Sequence, residues 1–119
     1  MRRLALLPVL VLAAGCGPAR QAQRIPGGDA GRGKDRIEYY GCGACHTIPG
    51  VRAATARVGP PLDDFGSRAT VAGKLPNTPE GLARWIRDPQ RIVPGNDMPD
   101  LGISRREARD IAAYLLERT

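Results

Sequence analysis

Aromatic residues are scarce in this chain, with one Trp, one Phe and three Tyr among 119 residues. So few large apolar groups leave a small domain short of core, and such domains often take part of it from a staple or a cofactor. Soft metal ligands are scarce as well: three Cys and one His. A structural zinc site wants four ligands, and the four present are Cys16, Cys42, Cys45 and His46. Cys16 stands far from the others and no second C-x-x-C exists, which disfavours zinc. There is no long hydrophobic run. Leu4 to Ala14 is uncharged but broken by Pro8 and too short to cross a bilayer. No segment alternates like a strand for long, so the βαβ surround of a thioredoxin-like dithiol is not visible. Basic residues outnumber acidic ones 18 to 12. The arginines are nevertheless scattered with acids among them, unlike the clustered face of a nucleic-acid binder.

What is present begins with a leader. Arg2 and Arg3 precede the Leu4 to Ala14 stretch, the pattern of a signal peptide. It ends in Leu12-Ala13-Ala14-Gly15-Cys16, which resembles a bacterial lipoprotein lipobox, with Ala13 where that family usually has Leu. The resemblance implies that residues 1–15 are removed and that Cys16 becomes the lipidated N-terminus. The other reading is ordinary cleavage after Ala19, which would discard Cys16. Both export the chain to the periplasmic side of a bacterial membrane. Without Arg2 and Arg3 the 18 basic residues become 16 against 12 acidic, a net +4. Residues 16–28 read as a tether, because Gly17 to Gly28 has no apolar period and spans about 20 Å as a flexible coil. The folded domain is expected over 29–119.

Three helices are expected in it. Gly31 to Tyr40 forms a first, glycine-weakened helix with Ile37 and Tyr40 on one side. Thr78 is the N-cap of a second, with Pro79 at the first helical position and an end near Asp88, before Pro89. Its apolar face is Leu82, Trp85 and Ile86. Ser104-Arg105-Arg106-Glu107 is a capping box opening a last helix, and Ala108, Ile111, Ala112 and Leu115 follow the helical period. Val51 to Pro76 reads as loop. The fold class is all-α.

Cys42-Gly43-Ala44-Cys45-His46 is the attachment motif for c-type haem. Two sulfurs at this spacing each form a thioether with a porphyrin vinyl group, and the adjacent imidazole is the proximal iron ligand. A disulfide between Cys42 and Cys45 is the competing use, and it leaves His46 without a role. Once Met1 leaves with the leader, Met98 is the sole thioether, in the proline-rich loop Val93 to Pro99. A rigid loop suits a ligand that stays put while iron changes charge, although a lone Met is ordinarily a core filler.

These residues in this order resemble the class I cytochromes c, over about Gly28 to Leu116. The resemblance implies the class I cytochrome c fold, a small helical domain around one covalent haem. It implies that Gly33 lets the last helix cross closely against Tyr114. Gly59-Pro60-Pro61-Leu62 looks like the segment whose carbonyl, here that of Pro60, holds the second nitrogen of the haem histidine. Phe65-Gly66-Ser67-Arg68 matches the stretch whose arginine lies near a haem propionate. Trp85 falls where the family places a pocket aromatic, and Pro94-Gly95-x-x-Met98 matches its axial methionine loop. Ile37 departs from the pattern, since many members have an aromatic there; Tyr39 or Tyr40 is the expected substitute. Leu75 to Glu80 and Trp85 to Gln90 resemble the cytochrome c domains fused to subunit II of bacterial haem–copper oxidases. The expected function is therefore electron transfer by a membrane-tethered, monomeric, monohaem shuttle rather than catalysis. Its partners would be a terminal oxidase, a bc1-like complex or a dehydrogenase. The alternatives are a permanently bound haem subunit of such a complex, and a peroxidase-like or gas-binding haem with an open sixth position.

Overall fold

A computed structural model describes residues 25–119. The expected leader, Cys16 and the first part of the tether lie outside the described residues. Helix α1, Ala30–Tyr39, starts where the Asp29 carboxylate accepts the Arg32 N–H at 2.8 Å. Helix α2, Pro79–Arg87, starts where the Thr78 hydroxyl accepts the Gly81 N–H at 3.0 Å. Pro89 ends α2 and opens α3, Pro89–Ile92, one turn that is too short to show a period in sequence. Helix α4, Arg105–Arg118, carries the capping box in full: Glu107 N–H donates to the Ser104 hydroxyl, and Ser104 N–H to the Glu107 carboxylate. Hydrogen bonds from Ser104, with that of Tyr40, hold the Glu107 carboxyl below the usual carboxylate range.

The fold is mostly helical, with one small antiparallel ladder that the sequence pattern did not reveal. Strands β1, Thr70–Val71, and β2, Leu75–Pro76, pair Thr70 with Pro76 and Val71 with Leu75. Two residues per strand are too few for alternation to be legible. The turn between them holds Ala72 and Gly73 both at positive φ, 52° and 63°, as tight hairpins require. Ala lacks the usual Asn-Gly signature of that turn.

Helices α1 and α4 cross in close contact, and α2 packs on α4 beside them. The crossing depends on Gly33, and its nearest neighbours on α4 are backbone atoms. A Cβ at Gly33 would run into the Asp110 carbonyl and come within 3.1 Å of the Ile111 nitrogen. Backbone thus meets backbone one turn ahead of Tyr114. The Tyr114 hydroxyl donates to the Pro49 carbonyl at 2.7 Å from a site only 7% exposed. A Gly33→Ala substitution should cost at least the ~1–3 kcal/mol of ordinary overpacking, since neither clashing group is a movable side chain. Urea unfolding of the holoprotein measures this, and an unchanged midpoint would show that the helices separate freely.

The same crossing buries a charge. Asp110 is 2% exposed and accepts from the Arg32 guanidinium at 2.9 and 3.0 Å and from the Asp29 N–H at 2.9 Å. A bidentate arginine together with a backbone donor compensates the desolvated carboxylate. Ile37 is 1% exposed; Tyr40 packs partly buried against the core and its hydroxyl donates to Glu107 at 3.0 Å, while Tyr39 is 73% exposed. The packed chain begins before Asp29. Ile25 is 5% exposed and its N–H donates to Glu117, and Gly28 lies against Ala113 and the Arg109 carbonyl.

Candidate functional site

The chain leaves α1 through Gly41, at φ 70°, and enters a single 3₁₀ turn over Cys42–Ala44. In such a turn residues three apart eclipse, which brings Cys42 and Cys45 to one side. Both are free thiols and half-buried. Burial pushes the Cys42 thiol above its ordinary value. Gly43 is required by proximity, because a Cβ there would sit 2.9 Å from that of Ala54.

His46 follows, half-buried, with its N–H bonded to the Cys42 carbonyl at 3.0 Å. Gly59 N–H donates to Cys45 at 2.7 Å and Leu62 N–H to Thr47 at 2.8 Å. These two bonds lay the 59–62 segment alongside the motif. They bring the Pro60 carbonyl to 2.7 Å from His46 Nδ1. A carbonyl only accepts, so Nδ1 carries the proton and Nε2 keeps its lone pair for a metal. Any side chain at Gly59 would strike the imidazole ring.

Arg68 is tied to the same segment. Its guanidinium donates to the carbonyls of Pro61 and Asp63 and lies 4.5 Å over the Phe65 ring. Asn77 braces it from behind, its side-chain amide donating to Phe65 and Arg68 carbonyls at 2.8 and 3.0 Å. His46, Pro60 and Arg68 therefore form one connected unit.

Met98 belongs to a second unit. It is half-buried, and its N–H donates to the Asn96 side-chain oxygen at 2.7 Å. The Asn96 amide in turn donates to Pro89 and Val93 carbonyls at 3.1 and 2.7 Å. The Gln90 side chain spans the loop, accepting from Gly95 N–H at 3.0 Å and donating to the carbonyls of Asn96 and Met98 at 2.7 and 2.8 Å. Prolines alone were expected to stiffen this loop; side-chain amides do much of it. Asn96 could have been found, since an asparagine two residues before a given N–H commonly closes such a turn. Gln90 and Asn77 carry no local sign. Trp85 lies partly buried against the core, beside Leu82 and Ile86 on α2.

Among the described residues no three His, Cys, Asp or Glu side chains converge as a metal site, and no helix is long and apolar enough to cross a membrane. The donor set instead fits haem c: two free, adjacent thiols and an imidazole whose free nitrogen is fixed by its partner. A small helical domain with this arrangement is a c-type haem protein. The cytochrome c family model matches residues 30–119, and the chain belongs to that family, which implies one covalently bound haem c and electron transfer. Over 87 residues it is 34% identical to the cytochrome c-552 of Bradyrhizobium diazoefficiens, covering 73% of this chain and 72% of that protein. Cytochrome c oxidase subunit 2 of Alkalihalophilus pseudofirmus is 38% identical over 87 residues, covering 72% of this chain. The same subunit of Bacillus sp. PS3 is 42% identical over 59 residues, covering 48% of this chain. The match spans only 25% and 17% of those two proteins.

Proposed function

We propose that this chain is a monohaem electron carrier held at the periplasmic face of a bacterial membrane by a lipid on Cys16, passing single electrons to a terminal oxidase. Haem bound through Cys42 and Cys45 supplies an iron that alternates between ferric and ferrous. In this reading His46 and Met98 would hold the iron, Arg68 would pair with a propionate and Trp85 would line the pocket. The observation that carries it is the restraint on both ligand residues. Pro60 orients His46, and the amides of Gln90 and Asn96 hold the Met98 loop. Ligands that move little keep the cost of a charge change low, which serves electron transfer and disfavours an open sixth position.

Partner choice rests on the surface. Lys74, Arg84, Arg87 and Arg91 line a recess of about 620 Å³ in which Asp88 is the one carboxylate. Arg87 already pairs with Asp88 at 2.6 Å. The surplus positive charge suits a brief, salt-sensitive encounter with an acidic partner. The relatives that are oxidase subunits support an oxidase as acceptor, and equally favour a second reading, a fixed subunit of such a complex. Co-purification with a membrane complex at high salt would select the second.

An optical and redox titration of the purified holoprotein tests the assignment. A low-spin spectrum, a near-infrared sulfur-to-iron band and a clearly positive potential are expected. A negative potential without that band would reject Met98 as ligand.

A further inference from the structure

Gln90 stands in sequence only as the last residue of the Trp85 to Gln90 resemblance, with no role of its own, yet its side chain makes three of the methionine loop's hydrogen bonds. Its carboxamide is used completely in one direction. Oε1 accepts from Gly95 N–H, and Nε2 donates to the Asn96 and Met98 carbonyls. Only this amide orientation satisfies all three contacts, because one partner is a donor and two are acceptors. The side chain thus grips the loop before, within and at the methionine. Its own backbone is anchored in turn, at the second residue of α3, with Gln90 N–H donating to the Asp100 carboxylate at 3.3 Å. Asp100 lies two residues past Met98, so the grip closes on both sides of it.

We infer that Gln90 is the positioning residue that keeps Met98 in place, and that it decides whether the sixth iron position stays closed to outside ligands. The inference rests on Met98 being the axial ligand. Asn96 also reaches α3, through the Pro89 carbonyl, while its other bonds close the local turn. Gln90 adds three bonds from α3 to the loop backbone at Gly95, Asn96 and Met98, and Pro89, which is buried, joins α3 to the packed core. Without Gln90 the loop keeps its turn and the single tie from Asn96 to Pro89, but loses the three bonds that hold its backbone around the methionine.

The test is Gln90→Leu in the full-length holoprotein, a change of similar size that removes both the donor and the acceptor. Three measurements are compared with the parent protein: the near-infrared sulfur-to-iron band of the ferric form as pH rises, the rate of carbon monoxide binding to the ferrous form, and global unfolding in urea. Expected results are loss of the band at lower pH than in the parent and carbon monoxide binding faster by about tenfold or more. The latter is what losing even one or two net hydrogen bonds from the closed form delivers. Asn96→Ala serves as the second variant and, because Asn96 holds the Met98 N–H and also reaches α3 through Pro89, should move the same readouts in the same direction. Two results would overturn the inference: a Gln90→Leu protein with parental band and carbon monoxide kinetics, or a band lost only in step with global unfolding. A parent protein lacking the band altogether would instead reject the assignment of Met98, a distinguishable failure.

Discussion

Replacing Met98 with alanine should lower the reduction potential by on the order of hundreds of millivolts, a substantial part of the ~0.8 V range that axial ligands span. Thioether sulfur favours ferrous iron, so its removal stabilises the ferric form. The structure makes this a clean experiment. Met98 is only half-buried, and its loop is held through backbone atoms that alanine retains, by Gln90 on the carbonyl and Asn96 on the N–H. The fold should therefore survive and the change should be confined to the iron. Met98→Ala should also abolish the near-infrared sulfur-to-iron band and let the ferrous form bind carbon monoxide rapidly. A variant with the parental potential and an intact band would show that Met98 is a core filler after all.

The second large effect concerns folding. A Cys42→Ser/Cys45→Ser chain, unable to form either thioether, should be largely unfolded, with weak helical circular dichroism and no cooperative melt. The reason is the supply of apolar groups. Among the described residues the buried aromatics are Phe65 and Tyr114 alone; Trp85 and Tyr40 are only partly buried, and Tyr39 is 73% exposed. The rest of the core is aliphatic, with five alanines among its buried members. An alanine contributes little apolar area. A domain near this size seldom gains more than about 3–5 kcal/mol from its core without a staple or cofactor. Haem-free protein that melted cooperatively, with far-UV dichroism like that of the holoprotein, would contradict this.

These two expectations draw on different parts of what could be read in advance. Chemistry that lives in neighbouring residues was legible. The haem motif is five consecutive residues, Cys42 to His46. The Thr78 cap and the Ser104/Glu107 box are bonds between residues three apart, so composition at short spacing specifies them. The resemblance to class I cytochromes c carried this further, to the Pro60 carbonyl, which the structure places 2.7 Å from His46.

It was less exact where contacts depend on how helices meet. Gly33 was expected to let α4 cross closely against Tyr114; the atoms nearest to it there are the Asp110 and Ile111 backbone, and the Tyr114 hydroxyl donates to Pro49, which the resemblance did not specify. Which aromatic would replace the one missing at Ile37 was likewise open. Only packing against α4 selected Tyr40 and left Tyr39 outside.

The amino-acid order by itself determined the haem motif of this protein, both ends of α2, the start of α4 and Met98 as the one thioether among the described residues. Each of these is set by covalent adjacency or by hydrogen bonds within a single turn. Tertiary structure decided the rest: the pairing of Arg32 with the buried Asp110 across 78 positions, the Asn77 brace behind Arg68, and the Gln90 grip on the Met98 loop. A polar side chain's partner is whatever unsatisfied group the folded chain brings within about 3 Å. No local pattern announces that group until the helices have packed.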